Sequence, residues 1–274
     1  MKTKELTERE SMLPAIPDYG PGVAGVGNEG IGEDRVVPIL QLLQKGNPQV
    51  DPDSEKYIDG AKIGQLLNTA TGEVHDEIIG VPFFRERVMV EWRKRELGGG
   101  GPFNRYAMED ALVGRALRKA GMTRPFGKIQ HPDIEANELQ ETIYVGLITL
   151  DGVNGNVTGA VIIPFKSKGI PAWKEWAGRY NDAVVGGKKL KDAVALASNQ
   201  VAIGSKAGKK DDYTFRVFTV TAAVDNDLVR SLLKAGHPAL TEGLALHTEF
   251  SGGRIKYADA PEAESTEADE KLPW

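Results

Sequence analysis

The chain reads as mainly β or α+β, and the architecture expected is an elaborated OB-like antiparallel barrel with inserted helices. Three observations predict it. Apolar, β-branched runs come in adjacent pairs joined by turn-forming text, 142–150 with 157–165 and 200–204 with 213–224. One long alternating run spans 78–95. The regular strand-helix alternation of a doubly wound sheet is missing, which leaves a mixed α+β fold as the alternative.

Taken in order, residues 1–35 contain PAIPDYGPGVAGVGNEGIG, too rich in proline and glycine for a helix or central strand, and are expected to form an arm. The body is expected over 36–258. The apolar text RVVPILQLLQKGNPQV closes at Gly46-Asn47-Pro48, and Asp59-Gly60 and Thr71-Gly72 mark turns in YIDGAKIGQLLNTATGE. In the long run IIGVPFFRERVMVEWRKR, Pro82 marks a strand start, an edge or a bulge. Period two puts Arg85, Arg87, Met89, Glu91, Arg93 and Arg95 on one face and Phe84, Glu86, Val88, Val90, Trp92 and Lys94 on the other. Gly98 to Gly101 then breaks the strand.

Residues 105–120 predict a helix, with Ala107, Leu112, Ala116 and Ala120 near one side and Arg118-Lys119 before Gly121. Thr142–Leu150 and Val157–Phe165, joined by DGVNGN, predict an antiparallel hairpin. After it, Pro171 suits a first helical turn, and Trp173, Trp176 and Tyr180 fall at i, i+3 and i+7. That stripe either packs a helix onto the sheet or forms an exposed stacking surface. The second hairpin surrounds the basic turn SKAGKKDD. A short helix near Leu228–Lys234 and a strand at Leu244–Phe250 complete the expected elements.

With 274 residues and 41% hydrophobic content, the chain can build a substantial core. The absence of cysteine excludes disulfides, thiolate metal sites and cysteine nucleophiles, and fits a reducing compartment. His75, His131, His237 and His247 show no close metal spacing. No apolar run approaches the roughly 20 residues that span a bilayer, and MKTKELTERE lacks the apolar stretch of a signal peptide. The expectation is a soluble, cytoplasmic protein with no membrane partner.

Sequence motifs for catalysis are few. GSKAGKK, Gly204 to Lys210, is one residue too short between its glycines for a phosphate loop and lacks the magnesium-binding hydroxyl, so it reads as a basic hairpin tip. There is no HExxH and no GxSxG. A two-metal nuclease could draw carboxylates from distant positions, but no residues nominate themselves. The expectation is therefore a protein without enzymatic activity, cofactor or metal.

What remains is a distributed nucleic-acid surface. Arg85, Arg87, Arg93 and Arg95 could track a phosphate backbone, or form a solvated face paired with neighbouring acids. Tyr213, Phe215 and Val217 share one face of their strand, and Thr214, Arg216 and Phe218 share the other. One face must be core, so the outer aromatic either stacks on a base beside an arginine or belongs to a second layer. Candidates for stacking are Trp92, Tyr213 and Phe218, with Arg216 toward phosphates. Lys166, Lys168, Lys206, Lys209 and Lys210 lie at hairpin ends and could line the same groove.

The last sixteen residues, DAPEAESTEADEKLPW, hold six carboxylates against the single Lys271. Removing these from the chain's 39 acidic and 34 basic residues leaves 33 of each, so the tail carries the whole formal charge of -5. An acidic segment without apolar periodicity cannot repay its own ordering, and 259–274 is expected to be disordered. Its end is nevertheless apolar, Leu272-Pro273-Trp274. This tail resembles the C-terminal tips of bacterial and bacteriophage single-stranded DNA-binding proteins. The phrase GAKIGQLLNTATGE resembles a type of phage protein encoded near replication and recombination genes.

The resemblance implies a protein that coats single-stranded DNA in phage replication or recombination, within an infected host. It also implies recruitment of partner enzymes through Asp269, Glu270, Leu272, Pro273 and Trp274. The body is longer than a bare bacterial single-stranded DNA-binding domain and no long Gly/Gln-rich linker precedes the tail, which favours a phage-type protein and leaves homo-oligomerisation open. The competing readings are a phage structural or regulatory protein-interaction module and a nucleic-acid-processing enzyme.

Overall fold

Alternation and β-branching build an antiparallel scaffold. The computed structural model describes residues 36–99, 102–210, 213–252 and 256–257, all within a unit that begins at Val36. The strands are β1 (Val36–Val37), β2 (Leu40–Leu42), β3 (Leu66–Asn68), β4 (Val74–His75), β5 (Ile78–Arg93), β6 (Asn104–Ala107) and β7 (Lys128–Gln130). They continue with β8 (Asn137–Leu150), β9 (Val157–Lys166), β10 (Val184–Val185), β11 (Lys188–Lys189), β12 (Val201–Lys210), β13 (Tyr213–Ala222) and β14 (Lys256–Tyr257). The helices are α1 (Ala111–Lys119), α2 (Ile170–Asp182), α3 (Leu190–Ala193) and α4 (Pro238–Ser251).

The main sheet runs β13-β12-β5-β8-β7, with β9 also on β8 and β6 also on β5, every pairing antiparallel. The fold is thus β-rich and α+β, as its text implies. Pro82 sits at a bulge: the β5–β8 register shifts between Pro82 and Phe84. The extra residue lets Phe83 turn inward over Gly146, where an added Cβ would meet the ring at 2.6 Å.

β8 is buried on both faces, and that sets the layers. Ile143, Val145 and Leu147 join Phe165 of β9 and Trp173, Trp176 and Tyr180 of α2 in one core. Tyr144 and Ile148 join Val88 and Val90 of β5 and Ala239, Leu246 and Phe250 of α4 in a second core. A helix therefore covers each face. The aromatic stripe of α2 is interior, with Trp176 stacked on Tyr180 at 5.4 Å; each fully buried side chain contributes about 1.5–3 kcal/mol of hydrophobic free energy.

The expected closed barrel is not formed. The sheet curls enough that Phe218 of β13 and Phe165 of β9 stand 5.1 Å apart, although three strands separate them in the pairing order. The seam between them is occupied by residues 39–44 instead of continuous strand pairing. Ile39 bridges Ile162 of β9 in parallel, and the Gln44 side-chain amide donates to the Arg216 carbonyl and accepts from its N–H, both at 3.0 Å.

Three further expectations change. The helix predicted over 105–120 begins at Ala111, because Asp110 caps it by accepting from the Leu112 N–H at 2.7 Å, while 104–107 pairs with β5. No helix forms at 228–234: Asp227 accepts from the N–H groups of Val229 and Arg230, and Leu232 bridges Asn199. Residues 244–250 belong to a helix, since Pro238 opens α4 and Ala239, Gly243, Leu246 and Phe250 recur on its buried side. The predicted arm and acidic tail lie outside the described residues.

Candidate nucleic-acid interface

On β5, the arginines fall on the face that carries Met89 and Glu91; Met89 packs against Val113 and Ala116 of α1, and β6 pairs along the strand's edge at 88–91. Arg87 Nε donates to Glu141 Oε1 at 2.7 Å, and Lys174 of α2 reaches the same oxygen at 3.2 Å. Arg85, two residues along the same face, is exposed and makes no hydrogen bond or ion pair among the described residues. The part of the side chain that the sheet covers is desolvated, which lowers its pKa, and the like charge of Arg87 lowers it further against the attraction of Glu141. Arg93 is exposed at the far end of the strand, while Arg95 follows in a 3-10 turn and its side chain lies outside the described residues.

The stacking assignments need correction. Trp92 is only 5% exposed and Phe218 only 8%, each within a hydrophobic cluster, so neither ring offers a face to a base. Trp92 also lies on the side of β5 opposite the arginines, with Lys166 Nζ 4.0 Å above its ring. The Tyr213 and Lys210 side chains lie outside the described residues, although the two are backbone partners at the hairpin end. Phe215 is half-buried; Lys168 Nζ sits 3.9 Å over it, and the ring covers Gly208 on the paired strand.

The lysines do not share one groove. Lys168 and Lys206 line a cleft between α2 and the edge strand β13, with Arg179 and Glu175 on the helix side and Val217, Thr219 and Thr221 on the strand side. Lys166 is on the opposite side of the sheet and Lys209 is exposed farther out on the hairpin. Arg216 extends along the positive-φ Gly64, whose missing Cβ leaves room for the guanidinium. Positive charge is therefore distributed along both flanks of α2: Arg85, Arg87 and Lys174 on one, Lys168, Arg179 and Lys206 on the other.

Sequence reasoning missed Glu141, Lys174 and Arg179. The available signal was an acid at the polar start of a strand that turns apolar after Thr142, opposite an arginine-bearing one. It also missed a polar knot at the end of β5. Glu91 is 1% exposed and accepts from Asn104 Nδ2 at 2.8 Å, Tyr106 Oη at 2.7 Å and Asn137 Nδ2 at 2.6 Å. Burial raises the Glu91 pKa, but these donors and the nearby His131 outweigh it and hold the carboxyl below its ordinary value. Tyr106 is pushed up to about 12 by burial and by the same carboxylate. His131 Nδ1 accepts from the N–H groups of Asp133 and Ile134, leaving Nε2 3.7 Å from Glu91 Oε1. The knot ties β5, β6, β7 and β8 together and offers no open reaction site.

Among the described residues, no group of three or more His, Asp or Glu side chains is placed to hold a metal ion, and no helix is long and apolar enough to cross a membrane. The described body is thus a curled antiparallel sheet, helix-covered on both faces, with a divided cationic surface. Residues 7–254 match the model of a family described as Pam3 phage gp34-like protein, so the chain belongs to that family, which points to a bacteriophage origin. No curated protein and no solved structure matches it.

Proposed function

We propose that this chain is a non-catalytic, sequence-independent single-stranded DNA-binding protein of phage replication or recombination. In this reading, 36–258 is the binding body, 1–35 an arm, and 259–274 a tail that recruits partner proteins through Leu272-Pro273-Trp274. The observation that carries the proposal is the positive charge along both flanks of α2, where Arg87 and Lys174 share Glu141 on one side and Arg85 stands on the same face of β5. Such a surface attracts a polyanion chiefly through its backbone, which makes binding salt-dependent and indifferent to sequence.

Intrinsic fluorescence is a poor reporter, because Trp92, Trp173 and Trp176 are all buried. The test is anisotropy of fluorescein-labelled oligo-dT at two salt concentrations, with a duplex of equal length as competitor. Saturable binding that weakens with salt and prefers the single strand is expected. Absence of saturation, or equal affinity for the duplex, would overturn the proposal and favour a protein-interaction module.

A further inference from the structure

We infer that Arg85, Arg87 and Lys174, gathered around Glu141, form a seat for a phosphate group. The inference rests on the nucleic-acid reading for the identity of the polymer, but not for the chemistry of the seat. Glu141 is the floor: its side chain is 7% exposed, against 33% for Arg87 and 49% for Lys174. Both cations engage one of its oxygens, Oε1. One carboxylate shared by two cations leaves a net positive charge, to which Arg85 on the same face of β5 adds another.

Donor geometry leads to the same ligand. Arg87 spends only Nε on Glu141; its two terminal nitrogens have no hydrogen-bond partner among the described residues. Among the described residues Arg85 spends none of its donors, and it stands beside a like charge. Because i and i+2 on a strand project from the same face about 6.5–7 Å apart, Arg85 and Arg87 stand side by side, with Lys174 reaching Glu141 from α2. A carboxylate already occupies the floor through Arg87 Nε. An incoming group must accept from several directions at once, which suits the oxygens of a tetrahedral phosphate. That group can come from a nucleic-acid backbone or from free phosphate.

Both sources are tested on the full-length protein, using Nε–Hε resonances of its arginines and labelled oligo-dT. With inorganic phosphate at low ionic strength, the Arg85 and Arg87 signals should shift saturably. Arg85→Gln should weaken the response about tenfold, the loss expected for one charge-assisted hydrogen bond. Lys174→Gln, on a separate element, should act in the same direction, so that a folding defect in one variant cannot imitate the result. Glu141→Gln should strengthen binding several-fold by removing the resident counter-charge. With oligo-dT, Arg85→Gln should reduce the slope of log affinity against log salt by about 0.7, the value for one single-strand phosphate contact.

Phosphate shifts without oligo-dT binding would support the seat with free phosphate as its source while defeating the proposed function. Oligo-dT binding that Arg85→Gln and Lys174→Gln leave unchanged, with no saturable phosphate shift, would overturn the seat while preserving DNA binding. Linear, non-saturating phosphate shifts would mean an adventitious ion only and would equally overturn it.

Discussion

Replacing Glu91 by Gln tests whether the buried knot holds the distal end of the sheet. The carboxylate accepts three hydrogen bonds of 2.6–2.8 Å at a position 1% exposed. Bonds to an ionised group contribute about 1.5–3 kcal/mol each, but Asn104 is exposed and can turn to water, and the buried charge has its own desolvation cost. A glutamine also points one N–H₂ at donors, so at least one of Asn137 and Tyr106 loses its acceptor. The expected net loss is about 2–4 kcal/mol, which for a body of this size lowers Tm by roughly 4–16 °C.

Urea unfolding across a pH series provides the assay. Because the folded Glu91 pKa lies below its ordinary 4.5, its contribution is fully present above the unfolded value and is lost as pH falls through the folded one. The wild type should therefore lose stability on acidification more steeply than Glu91→Gln, and the two curves should converge at low pH. A variant within about 0.5 kcal/mol of wild type at neutral pH, with a parallel acid limb, would refute the reasoning.

Gln44→Ala removes both bonds to the Arg216 backbone and should cost about 1–2 kcal/mol, read as a lower urea midpoint; hydrogen exchange at the Arg216 amide should accelerate. Gly146→Ala drives a methyl group into the Phe83 ring and should cost about 1–3 kcal/mol, with Phe83→Leu in the same chain recovering part of it. Deleting 259–274 removes the tail's excess acidity and should tighten oligo-dT binding at low salt, a gain that screening erases at high salt. Trp274→Ala should leave that affinity unchanged and reduce capture of host or phage partners.

Local signals were legible where they agreed with the tertiary setting. The alternation of 78–93, the disruption at Pro82, the hairpin of β8 and β9 and the stripe of α2 could all be read from spacing. The text 205–210, read as a basic turn, instead continues β12, paired residue by residue with 213–218. Face assignment could not. Alternation separates Trp92 from Arg87 but does not say that α2 covers one side of the sheet and α4 the other, so an aromatic opposite a charged face is still interior. The same holds for Phe218, which sheet curvature carries against Phe165. The run 244–250 misled because two strand-like alternations fit inside a helix whose start, His237-Pro238, lies outside the window. Glu141 drew no notice because its importance comes from two partners 33 and 54 positions away.

The seam has a consequence for how the chain is made. Gln44 meets Arg216 across 172 positions, and β1 pairs in parallel with β14, Val36 against Lys256. The earliest described segment to leave the ribosome thus completes its contacts only after the last hairpin and the final short strand have been synthesised. The internal hairpin of β8 and β9 can assemble beforehand from neighbouring text. Closure then falls late, because such distant contacts must bear the loop entropy before they return any stability. A nascent chain stalled or truncated before β12 would expose the margin of β5 at 78–80 where Val201–Ile203 should pair, the point at which a growing copy is most open to joining a neighbour.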